Sequence, residues 1–288
     1  MKRQASCSEL GTVTGDCPQQ EKELRITVKL GGSILEDSEI RARILTQVAT
    51  AVSRGHEIIL VHGGGKSLSR RLSQMQMTSQ FVEGLRVTDS ETLQVAVMVL
   101  AGEVNKRMVA ELSELGASAV GICGADGGAV RCVPLSNMSG KPAGIGFVGK
   151  PAGVNRSFFD LLFGAGLLPV VSSIALGPDF RLYNINADQM ASACASGTES
   201  KSLVYLTDVP GVRDEKGSVL KTLGPKEMES MRSKGILSGG MLPKTSSCLE
   251  ALGAGVASVH ILPGSVPDIL TRFLDGDIPE GTRIHGNN

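Results

Sequence analysis

Two short runs of β-branched and aliphatic residues, each running into glycines, constrain this chain more than any other feature. Ile26-Thr27-Val28-Lys29-Leu30 ends at Gly31-Gly32, and Ile58-Ile59-Leu60-Val61 passes through His62 into Gly63-Gly64-Gly65. Between them Ile40, Ile44, Leu45, Val48 and Val52 keep a helical period from Glu39 to Arg54, and Gly55 supplies a stop. Strand, helix and strand at this spacing form a β-α-β unit, which joins parallel strands through a right-handed crossover. Further strands are expected at 118–123, 168–173, 202–207 and 257–261, with helices near 187–197, 225–234 and 243–253. The expected fold is therefore α/β: a three-layer, open, mainly parallel sheet with helices on both faces. A change of character near residue 175 divides it into two lobes, 24–175 and 176–288, with the ligand cleft at the strand C-terminal ends. Residues 1–23 mix Ser, Thr, Gly, Gln and charge without periodicity, and are expected to form a disordered tail.

The balance of charge narrows the choice of partner. Lys+Arg and Asp+Glu number 29 each, so no net field attracts nucleic acid or an anionic membrane, and any anion must be held by local placement. Tryptophan is absent and aromatics make up 3% of the chain, which leaves little to stack single-stranded bases. No run of about 18 apolar residues suggests a membrane span. Lys2 and Arg3 are not followed by the apolar region of a secretory signal. The six cysteines contain no C-x-x-C pair and the four histidines no H-E-x-x-H, so no protein-held metal is expected. Reduced thiols in a cytoplasmic protein that handles a small molecule fit this pattern.

From Thr88 to Leu115 the sequence reads as one long helix, opened by a capping box of Thr88 with Glu91 and closed at Gly116. Its centre, Val95 to Ala101, is apolar on nearly every face, which a surface helix does not need. It should be sandwiched, either within the monomer or across a homodimer interface.

The chemistry-bearing residues are cationic or glycine-rich. Lys29 and Lys244, the latter in Gly239-Gly240-Met241-Leu242-Pro243-Lys244, are compact charges on flexible stems, suited to a phosphoryl group whose charge moves. Gly63-Gly64-Gly65 follows a strand, where backbone N–H groups can approach an anion, although a plain strand-to-helix turn would use the same residues. It is not a Walker A loop, because position 60 is leucine where that motif needs glycine. Gly144 to Gly149 fits G-x-G-x-x-G, but Pro151 follows where a helix should begin, so a loop or hairpin is expected there. Arg86 precedes the long helix and could grip a carboxylate with two parallel hydrogen bonds, or serve only as a surface ion-pair partner. Asn184, Asn186 and Asp188 alternate, so an extended segment would project all three to one face; the alternative is a simple N-cap. Beside two lysines, Asp188 could hold both ammonium groups. Thr207-Asp208-Val209-Pro210-Gly211 reads as a strand entering a turn, and Pro243 places Lys244 just inside a helix.

Taken together these segments resemble the amino-acid kinase family over nearly all of 24–284, and within it the members that act on N-acetyl-L-glutamate. The matching stretches are Lys-Leu-Gly-Gly-Ser at 29–33, Val-His-Gly-Gly-Gly at 61–65, Gly-Leu-Arg-Val-Thr at 84–88, Asn-Ile-Asn-Ala-Asp-Gln at 184–189, Leu-Thr-Asp-Val at 206–209, Gly-Gly-Met-Leu-Pro-Lys at 239–244 and Gly-Thr-Arg-Ile at 281–284. The resemblance implies an ATP-dependent enzyme that phosphorylates the γ-carboxylate of N-acetyl-L-glutamate, with Mg²⁺ held mainly by the phosphates. It implies that Lys29 and Lys244 stabilise the transferred group and Asp188 orients both. It further implies that Gly64, Gly65, Arg86, Asn184 and Asn186 serve the acceptor. On the nucleotide side it points to Gly31, Gly32, Thr207, Asp208, Gly211 and Met241. A substrate lobe, an ATP lobe and a homodimer through the 88–115 helix belong to the same likeness. Related kinases of aspartate, glutamate or aminoadipate, or a non-catalytic sensor on the same scaffold, are the alternatives. Two departures stand out: residues 1–23 lack the apolar stripe of arginine-inhibited members, so an arginine-insensitive dimer is expected, and Pro210 alters the turn after Asp208.

Overall fold

A computed structural model describes residues 24–135, 144–237, 239–277 and 280–286, so the readings made for 1–23 lie outside the described residues. The first half contributes β1 (Arg25–Leu30), β2 (Glu57–His62), the short hairpin β3 (Phe81–Val82) and β4 (Leu85–Arg86), β5 (Ala119–Ile122), β6 (Val130–Pro134), β7 (Val148–Val154) and β8 (Leu168–Ser172). There follow β9 (Ile174–Leu176), β10 (Leu182–Ile185), β11 (Ser202–Thr207), β12 (Thr222–Leu223), β13 (Ser258–Pro263) and β14 (Thr282–Ile284). Eight of these strands form the main sheet in the order β12-β14-β13-β11-β1-β2-β8-β5. Every neighbouring pair is parallel except β13 with β14. β1 is central, bonded to β2 on one side and to β11 on the other. The strands β10, β7, β6 and β9 close into a smaller sheet.

The helices are α1 (Gly32–Glu36), α2 (Ser38–Ser53), α3 (Gly65–Gln74), α4 (Ser90–Ala96), α5 (Asn105–Glu114), α6 (Arg156–Gly164), α7 (Ala187–Gly197), α8 (Pro225–Ser233), α9 (Met241–Gly253) and α10 (Ile269–Leu274). Strand alternation sorts the core into two layers. Ile26, Val28 and Leu30 join Ile58, Leu60, Val204 and Leu206 on the face packed by α2, α5 and α10. On the opposite face Ile59, Val61, Leu203, Tyr205, Val259 and Ile261 meet α6, α7, α8 and α9. Lys29, one position out of phase with Val28 and Leu30, leaves the sheet on this second face, towards α7 and α9. That phase relation places the only lysine of β1 where the other chemistry-bearing helices lie.

The expected long helix is continuous but not uniform. Residues Val97–Val104 between α4 and α5 are π-helical, a widening that recurs at functional sites. Its N-cap is Asp89, whose carboxylate accepts from Thr92 N at 2.8 Å, and not Thr88 as the capping-box pattern suggested. Thr88 is fully buried and its hydroxyl donates to the Arg86 carbonyl at 2.8 Å, so it is unavailable as a cap. The helix buries Val95, Ala96, Val99, Leu100 and Val104 on one side but leaves Met98 63% exposed on the other.

Gly144 to Gly149 does not open a helix; it leads into β7, where Pro151 pairs with Cys132 at a register shift. No helix among the described residues is long and apolar enough to cross a membrane. Among the same residues Cys123, Cys132, Cys194 and Cys248 are free, and no group of three His, Cys, Asp or Glu gathers as a metal site.

Candidate active site

The site is assembled where β1, β2 and β11 end and α7 and α9 begin. Asn186 ends the extended run and caps α7: its side-chain oxygen accepts from Asp188 N at 2.9 Å and Gln189 N at 3.3 Å. Asp188 therefore rises from the first helical turn, where the free N–H groups favour a negative charge. The helix begins at Ala187, so of the two readings of 184–188 the cap holds for Asn186 and Asp188, and the extended run ends at Ile185. Asn184 turns instead towards the start of the long helix, its amide donating to Thr88 Oγ1 at 3.2 Å.

Asp188 meets both lysines. Its Oδ1 lies 2.7 Å from Lys29 Nζ, and both carboxylate oxygens lie 3.1 Å from Lys244 Nζ. All three residues are buried, at 7–8% exposure. Burial by itself would raise the Asp188 pKa, but the Lys29 and Lys244 charges and their hydrogen bonds overcome it and hold the carboxyl down at about 2. For Lys244, burial and then repulsion from Lys29 push the ammonium below its ordinary value, with Asp188 opposing. Two cations and one anion leave this pocket of low dielectric with a surplus positive charge, which suits an incoming phosphoryl group.

Lys29 also borders a cavity of about 230 Å³ walled by Gly32, Gly63, Gly64, Gly65, Arg86, Asn184 and Asn186. Leu68, Leu85, Leu100 and Phe81 supply its apolar side. The glycine triplet is held from behind by His62, which is fully buried and pushed down to about 4 by burial. Neutral imidazole is the form that fits: Nδ1–H donates to the Gly63 carbonyl at 2.7 Å and Nε2 accepts from Asn105 Nδ2 at 3.0 Å. His62 is thus a strut and not a proton carrier. Gly63 packs against α7, since a Cβ there would stand 3.2 Å from Ala187 Cβ.

Arg86 lies across the cavity from these groups. Its guanidinium donates to Ser69 Oγ at 2.6 Å, to the Gly65 carbonyl at 3.3 Å and to Ser79 Oγ, and stacks on Phe81 at 4.6 Å. Burial lowers its pKa, and no carboxylate among the described residues pairs with it. A buried, oriented guanidinium without a protein anion is a ready partner for a substrate carboxylate.

The residues expected to serve a nucleotide are placed differently from one another. The Gly31 N–H is already spent on the Leu206 carbonyl at 2.8 Å, and a Cβ at Gly31 would lie 3.0 Å from that oxygen. Gly31 thus serves close strand packing, whereas Gly32 opens α1, and a Cβ there would meet nothing within 4 Å. Thr207 Oγ1 donates to Asp208 Oδ1 at 3.2 Å. The facing Ser33 hydroxyl, ahead of the opposing cost of burial, holds the Asp208 carboxyl below the usual range, with Lys66 adding to it. Gly211 has φ +144°, and a Cβ there would collide with Thr282 and Val219, so it shapes the turn. Met241 is the first residue of α9. Thr207, Asp208, Gly211, Met241, Asp188 and Lys244 all stand outside the lining of this cavity. Sequence reading missed Ser69, Ser79 and Phe81, which hold Arg86 through space and carry no motif of their own, and gave Ser33 and Leu100 no role at the site.

Residues 25–263 match the Amino acid kinase family. This chain belongs to that family. An acetylglutamate kinase of Koribacter versatilis is 43% identical over 263 residues, spanning 91% of this amino acid kinase and 98% of that protein. The acetylglutamate kinase of Acidobacterium capsulatum is 41% identical over 261 residues, spanning 91% and 99%. Among solved structures, N-acetylglutamate synthase from Neisseria gonorrhoeae, complexed with coenzyme A and N-acetyl-glutamate, superposes with a TM-score of 0.80 at 22% identity. The likeness covers 94% of this amino acid kinase and 61% of the synthase, and at that identity it speaks for the fold alone.

Proposed function

We propose that this chain is an acetylglutamate kinase. It transfers the γ-phosphoryl group of ATP to the γ-carboxylate of N-acetyl-L-glutamate, giving N-acetyl-L-glutamyl 5-phosphate and ADP, a step of arginine biosynthesis. The observation that carries the reading is one carboxylate bridging two buried lysines beside a glycine-walled cavity. It occurs in a chain 43% identical to a named acetylglutamate kinase.

The chemistry follows from charge. A γ-carboxylate has a pKa of about 4.3 and is ionised at neutral pH, so the nucleophile needs no general base. One carboxylate oxygen attacks the γ-phosphorus while the bond to the bridging oxygen of the β-phosphate breaks and its electron pair leaves with ADP. The barrier lies in bringing two anions together. Lys29 and Lys244 offset that repulsion, with Asp188 fixing their spacing, and the Gly64 and Gly65 backbone adds N–H groups where donor and acceptor meet. Arg86 and Asn184 bind the α-carboxylate, and Asn186 supports their loop while capping α7.

Gly32, Thr207, Asp208 and the turn at Gly211 border the nucleotide, with Met241 at the start of α9; Gly31 acts through strand packing. This donor set of ammonium and N–H groups suits phosphate oxygens, and Mg²⁺ arriving with ATP neutralises charge on the β- and γ-phosphates. The half up to about residue 175 is the substrate lobe and the half from 176 the ATP lobe; β9 and β10 pair with β6 and β7 in the small sheet. The open stripe around Met98 forms a homodimer interface, and the enzyme works in the cytoplasm.

The test is ATP-dependent trapping of an acyl phosphate by hydroxylamine, run with N-acetyl-glutamate, glutamate, aspartate and aminoadipate. A hydroxamate with N-acetyl-glutamate alone is expected. A stronger signal with another acceptor reassigns the substrate, and no signal with any of them leaves a sensor.

A further inference from the structure

Tyr205 touches both members of the Lys244–Asp188 pair from beneath. It is the register partner of Lys29 on the neighbouring strand β11, so the two side chains leave the sheet on the same face. The ring is fully buried, and Lys244 Nζ stands 4.7 Å from its centroid. Its hydroxyl donates to the Asp188 backbone carbonyl at 3.1 Å. One side chain therefore meets a cation with its π face and the backbone of the counter-ion with its polar tip.

The arrangement answers a problem of charge. Lys29 takes Asp188 Oδ1 at 2.7 Å, while Lys244 divides itself between both oxygens at 3.1 Å. Four groups face the Lys244 ammonium: Asp188 from α7, Lys29 from β1, the Tyr205 ring from β11, and Cys248 one turn along α9. Burial raises the Cys248 thiol, so it stays neutral. A second carboxylate in place of the ring would anchor Lys244 but cancel the surplus positive charge. An aliphatic side chain would fill the space and give the cation nothing. The negative face of an aromatic ring attracts the ammonium without adding net charge, and does so more strongly where water is excluded.

We propose that Tyr205 is a positioning residue of the phosphoryl-transfer site: its ring keeps the Lys244 ammonium charged and aimed. The inference rests on the reading of Lys244 as a phosphoryl-contacting lysine.

Its test is the pH dependence of turnover in Tyr205→Phe and Tyr205→Leu, measured with both substrates saturating. Tyr205→Phe keeps the ring and should retain the alkaline limb of the wild-type profile. Tyr205→Leu should move that limb down by roughly one pH unit. It should also cut kcat roughly tenfold, with the acceptor KM changed by less than about twofold. An alkaline limb that stays in place in Tyr205→Leu, or one that falls equally in both variants, overturns the proposal. If Tyr205→Leu does not fold, mono- and difluorinated phenylalanine at 205 weakens the ring face at constant shape. The limb should then descend with each fluorine, and a flat series overturns the idea.

A readout without substrate is the titration of the Lys244 side chain followed by NMR, assigned by its loss in Lys244→Arg; it should shift as the limb does. Lys244→Ala separates the two claims. Wild-type turnover in that variant defeats the kinase role of Lys244, whereas an inactive Lys244→Ala beside an unmoved Tyr205→Leu profile defeats only the role of Tyr205.

Discussion

Gly64 and Leu100 are so close that a Cβ on the glycine would stand 2.8 Å from Leu100 Cδ2, and Val104 would lie 3.3 Å away. The backbone there has φ +148°, a conformation that L side chains rarely adopt. The π-helical segment that carries Leu100 is thus pressed against the middle glycine of the triplet. Gly64→Ala should cost roughly 1–3 kcal/mol of stability through backbone strain alone. It should also lower kcat, because the cavity wall must move. Gly65, with open space where its Cβ would stand, is the internal control. Gly65→Ala should keep the wild-type denaturation midpoint, and equal midpoints for all three proteins would disprove the strain argument.

Lys29→Ala and Lys244→Ala should each reduce kcat on the order of a hundred- to thousandfold, the usual loss for one preorganised electrostatic donor. Near-native circular dichroism should accompany both losses. Wild-type turnover in either variant would remove that lysine from the mechanism.

The depressed pKa of Asp188 makes an acid signature. Its folded value of about 2 lies below the ordinary 3.8, so the folded state favours the ionised form. The stability this contributes is fully present above the ordinary value and disappears as pH falls through the folded one. Melting temperature should therefore drop more steeply between pH 4 and pH 2 in the wild type than in Asp188→Asn, since only the former has this carboxylate to titrate. Parallel slopes would show that the two lysines do not depend on it.

Arg86→Lys preserves the charge but loses the planar fork held by Ser69, Ser79 and Phe81. The acceptor KM should rise roughly ten- to a hundredfold, the worth of a charge-assisted hydrogen bond, with a smaller change in kcat. An unchanged KM would place the α-carboxylate elsewhere.

Met98 stands exposed on the outer side of the π-helical segment, beside an open groove that includes Val97, Phe147 and Leu182. Met98→Glu should halve the mass seen by light scattering if that stripe is the dimer interface. A dimer that survives the added charge would locate the interface on another surface.

The strands and helices that sandwich the main sheet were readable because their apolar residues keep a clean period between glycine stops. The expected helix at 187–197 coincides with α7, and the expected strand at 202–207 with β11. The small sheet was not readable. β9 and β10 are three and four residues long, β6 exposes the apolar Val133, and β7 carries two glycines, Pro151 and a register shift against β6, so no apolar period marks them in the sequence. The π-helical segment was hidden for another reason: nothing in the apolar run from Val97 to Val104 distinguishes a π turn from an α turn.

In the candidate site, Lys29, Lys244 and Asp188 were legible as a set because glycines and a cap flank them. Their supports were not. Tyr205 reads as one more apolar strand residue, and the distance from its ring to an ammonium on α9 is a product of tertiary structure. Asn186 was visible as a polar residue, but whether it extended the strand or capped the helix depended on where β10 stopped.

The central place of β1 has a mechanical meaning. Because that strand is hydrogen-bonded to β2 along one edge and to β11 along the other, the two halves share an unbroken backbone ladder beneath the reacting groups. A hinge opening between β1 and β11 would break that ladder, so a rigid swing of one half away from the other is not open to this fold without bending the sheet itself.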